Sequence, residues 1–156
     1  MTPHTSDDTV MPLLSILIPV YNVRAFLEPC VESIMAQISD DDRIEVHFVD
    51  DASTDGTREL LIAIVQKLDG RVSAHFRETN GGVGAARNDL LARAQGQYFW
   101  FIDPDDIVLP GAIYSMIEVL ERDAPDMLIF DYEKKGRLIR GFSGPTECLT
   151  NDRDAL

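Results

Sequence analysis

Short apolar runs alternate with amphipathic stretches along most of this chain, and that alternation limits the fold more than any other feature. Leu13–Val20 (LLSILIPV), Ile44–Val49, Val72–Phe76 and Gln97–Ile102 have the length and composition of buried strands. Between the first two, Val23–Ile38 carries apolar residues at Val23, Phe26, Leu27, Cys30, Val31, Ile34, Met35 and Ile38, the spacing of one helix face. Thr57–Leu68 repeats the pattern through Leu60, Leu61, Ile64, Val65 and Leu68, and Asp69-Gly70 is a C-terminal stop signal. Asn80-Gly81-Gly82 reads as a turn before an alanine-rich helix over Val83–Ala94. Pro110 is expected to open a helix with Ile113, Met116, Ile117 and Leu120 inward. Met127–Tyr132 reads as another apolar strand, followed by a hairpin turn at Lys134–Arg137 into Leu138–Phe142. Strands alternating with helices imply βαβ units, hence an α/β fold around a mostly parallel sheet.

The 156 residues, 45% of them hydrophobic, suit one domain with a real core. It is placed at residues 13–142. Residues 1–12 are expected to be a loose tail, and residues 143–156 give no clear signal. The first twelve residues lack the basic and apolar regions of a signal peptide. No apolar run approaches the roughly 20 residues of a membrane span. A cytoplasmic location is the default expectation. Cys30 and Cys148 match no metal spacing and suggest no disulfide framework. Cys30, on an apolar helix face, is expected to be a buried thiol.

Charge excludes one class of partner. The chain has 27 acidic and 14 basic residues, a formal net charge of −13, and no general surface for nucleic acid. The acids gather at Asp40–Asp42, Asp50-Asp51 and Asp103–Asp106. Such a field repels an anionic phosphate ligand, so a phosphate here calls for a bridging cation.

The densest acidic group follows an aromatic strand. Tyr98-Phe99-Trp100-Phe101-Ile102 ends abruptly in Asp103-Pro104-Asp105-Asp106. In open α/β sheets, ligands bind outside the carboxyl ends of the strands. With Pro104 holding the backbone extended, Asp103 and Asp105 are expected to face one side together. Paired carboxylates supply hard oxygen ligands for Mg²⁺ or Mn²⁺. The plainer alternative is a solvated acidic turn that caps a helix.

Other motifs narrow the choice. No G-x-x-x-x-G-K-[ST] occurs, and Pro19-Val20-Tyr21-Asn22 follows the first strand where a dinucleotide fold would carry G-x-G-x-x-G. A phosphoacceptor receiver would need its acidic pair at that same place. Asp50-Asp51 ends the second strand, where a carboxylate can accept a base N–H or a sugar hydroxyl. Ser53, Thr54 and Asp55 read as caps. Gly81, Gly82 and Gly84 serve either a tight turn or close backbone approach to a ligand. Arg87 falls on the first turns of the helix that follows.

SILIPVYN (Ser15–Asn22), VDDASTDGT (Val49–Thr57), NGGVGAARN (Asn80–Asn88) and FIDPDD (Phe101–Asp106), in this order and spacing, resemble a family 2 glycosyltransferase of the GT-A fold. The likeness covers most of residues 13–133. It implies a Rossmann-like, mostly parallel sheet flanked by helices on both faces, and a UDP-sugar donor site. Pro19, Tyr21 and Asn22 match the loop beside the nucleoside. Asp51 matches the aspartate on the uracil edge, and Arg87 the basic residue near the base. Asp103 and Asp105 match the D-x-D motif: Asp103 near the ribose, Asp105 on a divalent Mn²⁺ or Mg²⁺. Asp106 matches an acidic supporting position.

The resemblance also implies inverting displacement at the anomeric carbon in surface polysaccharide synthesis. The acceptor would be a glycan or a lipid-linked sugar, with peripheral membrane association through a segment outside this chain. The family's catalytic base lies downstream of D-x-D, and no segment here matches it. Asp131 and Glu133 qualify only by being acidic. The expectation is therefore the donor half of an enzyme. The alternative is a non-catalytic nucleotide-sugar-binding module that needs another segment or partner.

Overall fold

In the computed structural model, which describes residues 11–38, 41–68, 70–134 and 136–141, all seven residues of the first strand, β1 (Leu14–Val20), are buried. A strand buried on both faces belongs at the centre of a parallel sheet. It pairs in parallel with β2 (Ile44–Asp50) on one side, Leu14 opposite Ile44, and with β4 (Tyr98–Phe101) on the other, Leu14 opposite Tyr98. The strand β3 (Val72–Phe76) pairs in parallel with β2, giving the order β3-β2-β1-β4. These four strands match the expected positions to within a residue or two.

Helices cover both faces of the sheet. Leu17 and Val49 project to one face and pack with Ala86 and Leu90 of α3 (Val83–Leu91). Ile44, Val46 and Val72 project to the other and line a recess with Met35 and Ile38 of α1 (Arg24–Ile38). Cys30 is fully buried, as its place on the apolar face requires. Both α2 (Thr57–Val65) and α3 end three residues before the apolar pattern does. Their last turns tighten into i→i+3 bonds, Lys67 N–H to Ile64 C=O and Arg93 N–H to Leu90 C=O, each 3.0 Å.

Contacts divide the chain into two compact units, residues 1–114 and 115–156. The helix α4 (Ala112–Asp123) crosses the division, with Ile113, Met116, Ile117 and Leu120 buried. Pro110 does not open it. Ala112 N–H donates to Leu109 C=O at 3.1 Å, and Gly111 between them has φ +81°. Proline at the second position and a positive-φ glycine at the third make a type II turn, and the helix starts beyond it.

The described part of the second unit also corrects the strand expected over Met127–Tyr132. Only Tyr132–Lys134 is extended and paired, as β5, with β6 (Arg137–Ile139) in an antiparallel hairpin. Gly136 in its turn has φ +72°, as short hairpin turns require. The ladder stops at Tyr132–Ile139. Gly141 N–H turns to the Asp131 carboxylate at 3.0 Å, and among the described residues no strand backbone pairs with residues 127–131. Met127, Ile129 and Phe130 are exposed. Phe142 and Cys148 lie outside the described residues.

Candidate functional site

The candidate residues stand at the carboxyl ends of β1, β2 and β4 and at the start of α3, all within the first unit. That is the end of a parallel sheet where ligands bind. The polypeptide itself organises much of this edge, and each candidate's internal bonds decide what it has left for a ligand.

Pro19 is buried in β1, while Tyr21 beyond it is 47% exposed. Asn22 has φ +51°, a left-handed conformation that asparagine tolerates better than most residues. Its side-chain oxygen accepts Thr54 N–H at 2.8 Å, and its own N–H donates to Ser53 Oγ at 2.9 Å. Val23 N–H adds a bond to Thr57 Oγ1 at 3.0 Å, and Arg24 Nη1 donates to Gly56 C=O at 2.8 Å. Asn22 and the Ser53–Thr57 segment are thus two halves of one clasp between the loops after β1 and β2.

Asp55 secures the clasp. Its Oδ1 accepts the Thr57 N–H at 3.0 Å and the Thr57 hydroxyl at 2.5 Å, and its Oδ2 accepts Arg24 N–H at 3.2 Å. The Thr57 hydroxyl bond leads in holding its carboxyl below the usual range. The N-cap residue itself is Gly56, at φ +88° with no side chain to give, so Asp55 caps α2 from one position further out.

The two aspartates after β2 separate in role. Asp50 has a fully buried side chain paired with Arg58 Nε at 2.8 Å. It holds the strand end together. Asp51, whose side chain is 3% exposed, accepts Gly81 N–H on Oδ1 at 2.9 Å and Gly82 N–H on Oδ2 at 2.7 Å. Arg77 Nε lies 2.9 Å from the same Oδ1. That contact is an ion pair without hydrogen-bond geometry, so of the about four acceptor positions a carboxylate offers, the two amides leave about two.

Those bonds define the glycine cluster. Gly82 is the N-cap of α3 at φ +82°, ψ 164°, a region only glycine occupies readily. A Cβ on Gly81 would lie 2.5 Å from Arg77 Nη2, so a side chain there would displace the arginine head. The tight-turn role proposed for these glycines is met, and both amides point at Asp51.

Arg87 reaches from α3 to the acidic turn. Its Nη2 donates to Asp103 Oδ1 at 3.1 Å, and its guanidinium lies 5.3 Å from the centre of the Phe101 ring. Both side chains are about half exposed. The backbone after Asp103 is not extended as expected. Asp106 N–H donates to Asp103 C=O at 3.0 Å, closing a turn with buried Pro104 at its second position. Asp at the first position and Pro at the second are the residues such a turn favours, and their preference overrides strand geometry. Asp103, Asp105 and Asp106 are all exposed on this turn.

Asp105 has no hydrogen-bond or ion-pair partner among the described residues, whereas Asp103 is partly engaged by Arg87. Among the described residues no group of three or more His, Cys, Asp or Glu side chains could cage an ion. Asp105 therefore fits a magnesium-like ion only in the usual substrate-assisted way, with one or two carboxylates completed by water and phosphate oxygens. Beneath the turn, Cys30 Sγ lies 4.0 Å from Asp103 C=O. Burial, and then the charges of Asp106 and Asp105, push its thiol up to about 12, so it stays protonated and inert.

Sequence reasoning missed Arg58 and Arg77, whose guanidiniums neutralise Asp50 and Asp51. Arg77 directly follows β3, so the strand-end rule that singled out Asp51 and Asp103 would have found it. No signal in the sequence pointed to Arg58. Asp131 and Glu133 lie in the second unit, both exposed, and Asp131 already accepts the Gly141 N–H. Among the described residues no helix is long and apolar enough to cross a membrane.

Comparison with known proteins bears on this geometry. The family model for glycosyl transferase family 2 matches residues 15–146. TuaG of Bacillus subtilis strain 168, which bears the name of a teichuronic acid biosynthesis glycosyltransferase, is 43% identical over 148 residues, 93% of this chain. The chain spans 57% of TuaG, and so only about half the length of such relatives. Residues 1–349 of S. aureus TarS, solved with UDP, superpose with a TM-score of 0.72 at 28% identity. The match covers 80% of this chain and 37% of that one, and the TarS complex with UDP-GlcNAc matches equally well. A mannosyltransferase from Pyrobaculum calidifontis, solved with GDP-Man and Mn²⁺, shares the fold at a TM-score of 0.63 and 24% identity, over 72% of this chain and 33% of its own.

Proposed function

Because this chain belongs to glycosyl transferase family 2, we propose that it binds a UDP-sugar at the carboxyl ends of β1, β2 and β4. The sugar would pass with inversion to a glycan or lipid-linked acceptor in surface polysaccharide synthesis. The observation that carries the donor site is the junction of Arg87 with Asp103 beside an exposed Asp105 that has no partner among the described residues. A guanidinium and an exposed carboxylate at one strand end suit a diphosphate carrying a cation. The UDP complexes of TarS support the choice of nucleotide.

Pro19 and Tyr21 border the nucleoside, and Asn22 holds their loop in place through the Thr54 clasp. An acceptor position left open on Asp51 takes one base N–H. Uracil offers one at N3, whereas cytosine presents an acceptor there. Asp103 lies toward the ribose, and Arg87 toward the base and phosphates. Asp105 holds Mn²⁺ or Mg²⁺, with Asp106 supporting the turn. Bound there, the ion offsets the charge that builds on the departing diphosphate. The base that deprotonates the acceptor is not assigned to any residue of this chain.

Calorimetric titration with UDP, CDP, GDP and ADP, each in Mn²⁺ and in EDTA, tests this reading. UDP should bind tightest, and only with the ion. Equal UDP affinity in EDTA removes the metal from the site. Tighter binding of GDP, ADP or CDP removes the uracil role of Asp51.

A further inference from the structure

Arg77 lies directly beneath the glycine turn and joins four pieces of the nucleotide edge. Its main chain is fixed first: its N–H donates to Asp50 C=O at 2.9 Å, and its carbonyl accepts Arg58 Nη2 at 2.5 Å. Its guanidinium is then shared between two carboxylates. Nε lies 2.9 Å from Asp51 Oδ1, and Nη1 donates to Asp89 Oδ2 at 2.6 Å. Nη2 fills the space that a Cβ on Gly81 would take.

The consequences run in two directions. Asp51 is almost fully buried, and Arg77 is the cation that pairs with it while it accepts the Gly81 and Gly82 amides. Asp89 sits on α3 two residues beyond Arg87, so the same guanidinium ties that helix to the end of β3. Lysine cannot reproduce this bridge, because it offers a point charge in place of a planar fork with separate donors.

We propose that Arg77 is a positioning residue for the nucleoside half of the donor. By bridging Asp51 and Asp89 under Gly81, it preforms the acceptor that meets the base and fixes the helix that carries Arg87. The proposal rests on the donor-site reading above. It assigns no contact between Arg77 and the ligand.

The test compares wild-type chain with Arg77→Lys and Asp89→Asn by calorimetry in Mn²⁺, using UDP, CDP and inorganic pyrophosphate as probes. Both variants should lose about 10- to 100-fold in UDP affinity, the scale of loss when a partner that orients a site's direct contacts is removed. Their preference for UDP over CDP should shrink, while pyrophosphate affinity should fall by clearly less than UDP affinity does. A purely structural role would lower the binding stoichiometry and the melting temperature, but it would leave the UDP-to-CDP preference of the folded fraction unchanged. Asp89→Asn loosens the bridge without touching Asp51, so it carries the test if Arg77→Lys folds poorly. UDP affinities within twofold of wild type in both variants overturn the proposal. So does an equal loss for UDP and pyrophosphate. Failure of the wild-type chain to bind UDP at all overturns the donor-site reading, and this proposal with it.

Discussion

Arg87 and Asp103, brought together from α3 and from the end of β4, form an ion pair of 3.1 Å with the Phe101 ring beneath the guanidinium. Both side chains are about half exposed, and an exposed pair is worth about 0–1 kcal/mol. Asp103→Asn should therefore cost less than about 1 kcal/mol in urea unfolding. UDP affinity should fall, because the carboxylate toward the ribose is gone and Arg87 loses its partner. A stability loss well above that range, with UDP binding intact, would make the pair a structural strut.

Asp105→Ala should abolish the Mn²⁺ dependence of UDP binding and leave the apo protein as stable as before, or more so. Asp105 is exposed, has no hydrogen-bond or ion-pair partner among the described residues, and stands between two other acids. Removing it deletes repulsion and no internal contact. The measurement pairs a thermal melt without ligand with UDP titrations in Mn²⁺ and EDTA. A marked drop in apo melting temperature would reassign Asp105 to the turn itself.

Asp51→Asn should be costly in stability. The side chain is buried and faces two amide N–H groups and Arg77. An asparagine keeps one oxygen but turns its NH₂ toward donors, and it leaves Arg77 with a single carboxylate, Asp89. Breaking a buried charge pair costs about 3–5 kcal/mol. Urea denaturation reads this directly. A loss under about 1 kcal/mol would mean that the glycine turn holds without the charge. UDP binding by the surviving folded protein should also weaken, since the carboxylate that meets the base is lost.

The limits of what the sequence reveals follow from which forces act locally. β1–β4 and the helices between them are legible because burial on two faces or one leaves a period in the residues, as in Leu13–Val20 and Val23–Ile38. The order β3-β2-β1-β4 follows from the alternation only as far as a parallel sheet, since period carries no information on neighbours. The Met127–Tyr132 strand failed because an apolar run is extended only if a partner strand is there to pair with it. The extended geometry around Pro104 failed because turn preference outweighed strand continuation. Asp51 and Arg87 could be named from their motifs. The bonds that Asp51 makes, to amides thirty residues away and to Arg77, are tertiary and leave no periodic trace.

Glu45 gives the pH dependence a definite sign. It is buried on β2 and accepts the Ser15 hydroxyl at 2.6 Å and Gln95 N–H at 2.7 Å. Its other oxygen lies 3.0 Å from His47 Nε2, and His47 Nδ1 is 2.7 Å from Ser73 Oγ. Burial alone would raise its pKa. The Ser15 hydroxyl, the Gln95 N–H and the His47 ring outweigh burial, and the folded carboxyl titrates below its ordinary 4.5. A group whose folded pKa is depressed stabilises the protein fully above its unfolded pKa, and that contribution disappears as pH falls through the folded value. Glu45→Gln should therefore cost about 1–3 kcal/mol at pH 7, the range for a buried hydrogen-bonded charge. The gap between wild type and variant should be constant above pH 5.5 or so and narrow steadily below about 4.5. Urea midpoints for both proteins between about pH 3 and 8 test this. A gap that widens on acidification would reverse the sign and show that the neutral acid is the form the fold prefers. A gap that is flat throughout would mean that the Ser15 and Gln95 bonds act through geometry alone, with no contribution from charge.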